Sequence, residues 1–155
     1  MNYGVIDVGS NTVRLCVYDV LCPEKRKFKT IMNRKIMAGL AAYIVDGAFS
    51  DEGIAEAILA VKKCLKRASY LSPDCVDVFA TAVLRNVSNS AQAIAAIEQG
   101  AGCSISLLSN SDEAHLGFVG ASSRGALDNG ALIAISLRTL ARMAEISFWV
   151  GRISP

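Results

Sequence analysis

The sequence predicts an α/β domain in which a mixed sheet, antiparallel in its first three strands, is flanked by helices. Three strand-like apolar segments near the start are separated only by short turns. After residue 50, helical and strand patterns alternate, which is typical of parallel strands joined by crossover helices. The chain has 155 residues, of which 52% are hydrophobic, so it is long enough to bury a substantial core.

The first two predicted strands form a hairpin around a turn of small residues. Tyr3 to Val8 and Val13 to Val20 are largely apolar, and Gly9-Ser10-Asn11-Thr12 lies between them. Asp7 interrupts the first strand, and a carboxylate in an apolar strand is costly unless it has a use. Small turn residues can direct backbone N–H groups and hydroxyls into one concavity that holds phosphate oxygens. The sequence therefore predicts a phosphate-binding hairpin, followed by a third strand from Phe28 to Met37.

The rest of the chain is predicted to alternate between helices and strands. Ser50 provides a hydroxyl cap before the acidic residues Asp51 and Glu52, which indicates a helix start. A solvated face is preferred over a polyanion site for the cations of this helix, which are Lys62, Lys63, Lys66 and Arg67. The later elements are a strand over 76–83, a helix over 90–99 closed by Gly100, a strand over 104–108, a helix from Ser109 and a strand over 130–135. Ser109 and Asp112 have the spacing of a capping box.

Composition and charge argue against several classes of protein. The net charge of +2 is too small to indicate a nucleic-acid partner or an anionic membrane. The cysteines are odd in number and lack metal-ligand spacing, so reduced thiols are favoured over disulfides or a zinc site for Cys16, Cys22, Cys64, Cys75 and Cys103. No apolar run approaches the length of a membrane span, and the chain starts directly in a strand. These features predict a cytoplasmic protein.

Four stretches of the sequence resemble one known family, in its order and at its spacing. They are Ile6–Thr12, Ser50–Ile54, Ala80–Asn86 and Leu108–Leu116. The family is that of exopolyphosphatases and guanosine pentaphosphate phosphohydrolases, abbreviated Ppx/GppA, within the sugar kinase, heat-shock chaperone and actin superfamily. The resemblance implies a ribonuclease H-like (actin-like ATPase) domain over residues 1–134. The catalytic core of this family normally has two such domains, and the resemblance covers the first.

The resemblance assigns substrate-binding roles to two loops. Gly9, Ser10 and Asn11 resemble the first phosphate-binding loop, in which glycine permits close approach while the hydroxyl and amide add donors. Arg85 is similar to the family arginine that contacts phosphate, and its planar fork suits bidentate recognition. Without the surrounding motif, the default interpretation of Arg85 is a surface arginine in a strand-to-helix loop.

The same resemblance assigns roles to two acidic residues and marks one position where this sequence departs from the family. Glu113 aligns with the family glutamate that acts as general base for the attacking water, although the dipole of a helix start also favours acids there. Asp7 resembles the superfamily carboxylate that holds a divalent cation, usually Mg²⁺; its competing role is to orient the turn. His115 stands where the family usually has arginine, which either weakens polyanion binding or has no effect.

The resemblance stops after Ala134. The family continues with an aspartate and a glycine-rich second phosphate loop, whereas this chain reads Ile135-Ser136-Leu137-Arg138. The basic and apolar tail 135–155 is interpreted as the result of a reading-frame change or truncation, with the second domain absent. An exposed apolar face and this tail predict a homo-oligomer.

The resemblance implies a phosphoanhydride hydrolase that releases phosphate from polyphosphate or guanosine pentaphosphate, with this chain as the first half of the catalytic core. Activity of the chain on its own is not expected. The alternatives are a kinase fragment of the same superfamily and a non-catalytic domain that binds phosphate or a partner protein. Neither nucleic acid nor a membrane is expected as a partner.

Overall fold

The computed structural model describes residues 1–22 and 27–114. They fall into two units, one formed by Met1–Leu21 with Phe28–Leu108 and the other containing Cys22, Lys27 and residues 109–114. The predictions for His115, the strand over 130–135, the domain boundary at residue 134 and the tail 135–155 lie outside the described residues. Self-association through that tail therefore stays a prediction.

The first unit is built on a five-stranded sheet with a separate small hairpin and three α-helices. The strands are β1 (Asn2–Val8), β2 (Thr12–Cys22), β3 (Lys27–Met37), β4 (Ile44–Val45), β5 (Ala48–Phe49), β6 (Cys75–Ala80) and β7 (Ile105–Leu107). The helices are α1 (Asp51–Ser69), α2 (Ala82–Arg85) and α3 (Ser90–Ala101), with a 3-10 helix over Leu40–Tyr43. The strand order in the large sheet is β3-β2-β1-β6-β7.

The pairing of the strands makes the sheet mixed, as predicted. β1 is antiparallel to β2, with Asp7 opposite Arg14, and it is parallel to β6, with Val8 beside Ala80. β6 is parallel to β7. Only residues 23–26 connect β2 to its neighbour β3, and so short a connection requires an antiparallel pair. The predicted antiparallel arrangement of the first three strands is therefore confirmed.

The hydrophobic core lies between one face of the sheet and helices α1 and α3. β1 contributes Ile6 and Val8, which are fully buried, while Val61 of α1 and Ile97 of α3 pack into the same cluster. The predicted cap of α1 is confirmed, because the Gly53 N–H donates to Ser50 Oγ over 3.2 Å. Acids in the first turn of α1 and cations in its last turn both oppose the helix dipole favourably.

The other face of β1 and β2 is also largely buried. Alternate residues of the two strands lie on it, and their exposed fractions are 6% for Tyr3, 1% for Val5 and 8% for Arg14. The Tyr3 hydroxyl donates to the Asp77 carboxylate on β6. Burial, followed by this hydrogen bond, raises the pKa of Tyr3 far above its ordinary value, so its phenol stays neutral.

Two predicted boundaries are wrong. The strand expected over 76–83 ends at Ala80, and Ala82–Arg85 form the short helix α2. The helix expected to close at Gly100 continues to Ala101 and is closed by Gly102, which has a φ of 73°. A Cβ at Gly100 would lie 2.5 Å from Ile58 Cδ1, so this glycine allows α3 to approach α1 closely rather than ending the helix.

Candidate functional site

The turn between β1 and β2 is a tight loop whose side chains face solvent. Gly9 N–H donates to the Thr12 carbonyl over 3.1 Å and closes the hairpin, which leaves Ser10 and Asn11 at its exposed tip. A Cβ at Gly9 would lie 3.2 Å from that same carbonyl oxygen. Glycine is therefore the residue that permits this closure without strain.

The loop is anchored from behind through its carbonyl groups. The Asn11 carbonyl accepts from the Ala38 and Gly39 N–H groups at 3.1 and 3.0 Å, and the Ser10 carbonyl accepts from Ala41 N–H at 2.8 Å. In a trans peptide the N–H points away from the preceding carbonyl. The N–H groups of Asn11 and Thr12 are therefore aimed away from the anchoring segment. An exposed loop that presents such donors is suited to binding phosphate oxygens.

Asp7 lies two residues before this loop, on the face of β1 opposite to the hydrophobic core. It is half-buried, and its Oδ1 atom is fully buried. Directly across the hairpin is Arg14, which is only 8% exposed. Side chains at directly opposed positions have Cβ atoms about 5 Å apart, so the carboxylate and the guanidinium share one small region of the sheet.

Asp7 could hold a magnesium ion only together with water and substrate phosphates, not within a cage of protein ligands. Within residues 1–22 and 27–114, no three His, Cys, Asp or Glu side chains converge as a metal-binding group. Mg²⁺ is commonly bound by one or two carboxylates together with water and substrate phosphates, rather than by a cage of protein ligands. Asp7 beside a phosphate-binding loop is compatible with this second kind of site.

Arg85 is the last residue of α2 and is held by a strand end. Its Nη1 donates to the Leu108 carbonyl over 2.7 Å, and its Nε is buried. The backbone N–H of Leu108 in turn donates to the Ala80 carbonyl at the end of β6 over 3.0 Å. Arg85 is therefore fixed in position by the β7 end, and part of its donor capacity serves the fold rather than a ligand.

The sheet brings Asp7, the hairpin loop and Arg85 to the same edge. Val8 and Ala80 are paired at the carboxyl ends of the parallel strands β1 and β6, and Leu108 extends β7 alongside Ala80. The loop follows β1, and α2 follows β6. Ligands of open α/β sheets bind outside the carboxyl ends of the strands, which is where these groups lie.

Glu113 lies in the second unit, in the first turn of the helical residues 110–114. The predicted capping box is confirmed, because Ser109 Oγ donates to Asp112 Oδ2 over 2.6 Å and Asp112 N–H donates back to Ser109 Oγ over 3.0 Å. Asp112 is thus occupied by helix capping. Glu113 is half-buried, and its N–H donates to the Ser109 carbonyl.

Arg14 is the site residue that sequence reasoning missed. It stands in the apolar segment that was predicted as the second strand, and a cation in a buried strand is as unusual as the aspartate in the first. Counting back from the turn would have placed it opposite Asp7.

In the described part of the chain, no helix is long and apolar enough to span a membrane.

Solved structures share this fold. An exopolyphosphatase from Cytophaga hutchinsonii matches with a TM-score of 0.71 and 26% identity, over 79% of this chain and 39% of that chain. A Ppx/GppA phosphatase from Aquifex aeolicus matches with a TM-score of 0.70 and 19% identity, over 83% of this chain and 42% of that chain. T. thermophilus RuvC matches with a TM-score of 0.53 and 14% identity, over 99% of this chain and 97% of that chain, and at this identity shows the fold alone. The predicted ribonuclease H-like, actin-like α/β fold is confirmed.

The family of the chain is shown by a match to a family model. The model of the Ppx/GppA phosphatase family matches residues 22–136, which is most of the chain. The chain therefore belongs to the Ppx/GppA phosphatase family, as the four sequence stretches indicated. No curated protein matches it. The chain spans about two fifths of the length of the two solved phosphatases described above.

Proposed function

We propose that this chain is the phosphate-binding part of a hydrolase that releases phosphate from polyphosphate or guanosine pentaphosphate. The observation that carries the proposal is the anchored loop of Gly9, Ser10 and Asn11, which presents donors at the carboxyl edge of the sheet beside Asp7. Membership of the Ppx/GppA phosphatase family and the likeness to an exopolyphosphatase support the same reaction class. We also propose a cytoplasmic location, as the sequence predicts.

Substrate binding is the task of the loop and Arg85 in this proposal. Terminal phosphate oxygens accept hydrogen bonds from the Asn11 and Thr12 N–H groups and from the Ser10 hydroxyl and Asn11 amide. Arg85, which is oriented by the Leu108 carbonyl, would contact the phosphate chain through its guanidinium group. Phosphoryl transfer depends mainly on positioning and charge stabilisation, and a rigidly held arginine provides both.

Glu113 is the proposed general base. Its carboxylate accepts a proton from a water molecule whose oxygen attacks the terminal phosphorus, and the phosphoanhydride bond to the rest of the chain breaks. Asp7 would hold Mg²⁺, which when bound neutralises phosphate charge. Asp112 is engaged in the capping box, which gives the two neighbouring carboxylates different roles in this proposal.

The test is a matched pair of substitutions in the full-length protein that carries this sequence. Glu113→Gln should lower phosphate release by about two to four orders of magnitude while substrate binding persists, because the side chain keeps its size but loses the base. Asp112→Asn should leave turnover near that of the wild type. Equal losses in both variants, or normal turnover in Glu113→Gln, would contradict the assignment. Transfer of the phosphate to an acceptor other than water would instead indicate a kinase.

A further inference from the structure

The sequence around β3 is strongly basic. Between Glu24 and Asp46 there are six cations and no acid, namely Lys25, Arg26, Lys27, Lys29, Arg34 and Lys35. By contrast, the whole chain is nearly neutral, with 16 basic and 14 acidic residues. Lys29, Arg34 and Lys35 are exposed on β3, which is the edge strand of the sheet. A block of like charges on an edge strand discourages pairing with a second copy of the same edge.

The two faces of β3 differ. Met32 and Ile36 pack against the hydrophobic core, so the even-numbered residues, including Arg34, lie on the core side. Lys29 and Lys35 therefore lie on the opposite side. This is also the side of Asp7 and Arg14, because their neighbours Ile6, Val8, Val13 and Leu15 belong to the core.

The lengths of β2 and β3 indicate that Lys35 lies next to Arg14 in the sheet. β2 and β3 each have eleven residues and are joined by residues 23–26, and pairing their ends places Lys35 across from Arg14. The contact of the Ala38 N–H with the Asn11 carbonyl beyond the other ends fits this register. Like charges at directly opposed positions destabilise a sheet. Asp19, an acid of β2, lies on the core side of the sheet and pairs with the N-terminal amine at 3.6 Å.

β3 has its carboxyl end near the candidate phosphate loop and extends away from it. β3 ends at Met37, and the next two residues donate to the Asn11 carbonyl. At about 3.3 Å per residue, Lys35 is about 10 Å and Lys29 about 30 Å along the chain from that contact. A linear polyanion with one end in the loop would therefore reach Lys35 first and Lys29 only if it is long.

We propose that the outer face of β3, defined by Lys29 and Lys35, is a track for the distal part of a long inorganic polyphosphate whose end lies in the Ser10–Asn11 loop. The inference rests on the proposed function for the loop and makes long-chain polyphosphate, rather than guanosine pentaphosphate, the favoured substrate class. Residues 29–37 contain no aromatic side chain, whereas sites for single-stranded nucleic acid normally offer aromatic stacking platforms. The track therefore suits a polyanion without bases.

The experiment measures binding of long-chain polyphosphate and of tripolyphosphate to the chain, comparing Lys29→Glu with Arg34→Glu. Both substitutions reverse one exposed charge on the same strand, but on opposite faces. Lys29→Glu should weaken long-chain binding about three- to tenfold and leave tripolyphosphate binding unchanged. Tripolyphosphate binding should not change because Lys29 is farther from the loop than the Debye length, which is about 8 Å at physiological salt. Arg34→Glu should change neither.

Three outcomes would overturn the track. The first is an equal loss in Lys29→Glu and Arg34→Glu, which would indicate a diffuse charge effect. The second is unchanged long-chain binding in Lys29→Glu. The third is a homopolymeric RNA that binds as tightly as polyphosphate and loses as much in Lys29→Glu. Each can occur while Glu113→Gln still abolishes turnover, so failure of the track is distinguishable from failure of the proposed reaction.

Discussion

The two edges of the β1–β6 pair use polar residues in different ways. At the amino edge, side-chain carboxylates accept from nearby donors: the Tyr3 hydroxyl donates to Asp77, Cys75 Sγ lies 3.6 Å from the same carboxylate oxygen, and the Asn2 backbone N–H donates to Asp74. At the carboxyl edge, backbone groups anchor the loop and its polar side chains remain exposed.

An acid in an apolar strand is therefore not a functional marker by itself. Asp77 is an acceptor for a buried phenol, and that role explains its place in β6. Asp7 instead stands beside an exposed loop and opposite a buried arginine. Substitutions at the amino edge should therefore change stability alone, whereas those at the carboxyl edge should change phosphate binding.

Arg85→Ala should have the largest effect, because Arg85 serves both the fold and the ligand. Loss of its hydrogen bond to the Leu108 carbonyl should lower the free energy of unfolding by about 2 kcal/mol. Tripolyphosphate binding should weaken about tenfold or more, and less so at high salt. Arg67→Ala, at an exposed position in the last turn of α1, is the control and should change neither quantity appreciably. Equal effects in the two variants would remove Arg85 from the site.

Tyr3→Phe should lower the free energy of unfolding by about 1 kcal/mol, since it removes the buried hydrogen bond to Asp77. Phosphate binding should not change, because Tyr3 lies at the amino edge. Chemical denaturation and a binding titration on the same sample measure both quantities. Tyr70→Phe, at a position 71% exposed, is the matched control. Weaker phosphate binding in Tyr3→Phe would break the distinction between the edges.

The same tyrosine predicts a pH dependence. Its folded pKa is raised above the ordinary value near 10, so unfolding allows the phenol to ionise at high pH. The stabilisation is complete below about pH 10 and declines as the pH rises above that value. Tyr3→Phe lacks this titration, so its stability deficit relative to the wild type should shrink above pH 10. A deficit that stays constant from pH 8 to about 11 would show that Tyr3 does not titrate differently in the folded state.

Ser10→Ala and Asn11→Ala should have the smallest effect on stability, below about 0.5 kcal/mol each, because both side chains are exposed. Each should nevertheless weaken tripolyphosphate binding about three- to tenfold through loss of a donor. Isothermal titration would measure the binding, and thermal unfolding the stability. Unchanged affinity in both variants would mean that backbone N–H groups alone hold the phosphate.

Local signals in the sequence were enough to predict most of the fold. The caps at Ser50 and Ser109 and the hairpin around Gly9 depend on residues within a few positions, and all three are confirmed. The type of the longer elements was also predictable, because apolar periodicity is a local property, whereas the short helix α2 was partly expected as strand. The hairpin β4–β5 carried a readable signal that was missed, since Asp46 and Gly47 both have positive φ, as a two-residue turn requires.

Features that depend on distant contacts were not predictable. Gly100 resembled a helix end, yet it is determined by Ile58 of α1, far away in sequence. The hydrogen bond from Arg85 to the Leu108 carbonyl joins residues 23 positions apart, so its structural role could not be predicted from the motif around it. The buried position of Arg14 likewise depends on strand register and burial.

Phosphate is expected to bind at the carboxyl edge of the sheet. Nuclear magnetic resonance of the ¹⁵N-labelled chain, titrated with tripolyphosphate and Mg²⁺, tests it directly. The largest shifts should occur at the amides of Asn11 and Thr12 and at the Arg85 guanidinium, with little change at Tyr3 or Cys75. Unshifted loop amides, with changes confined to the cations of α1 or to the amino edge, would contradict it.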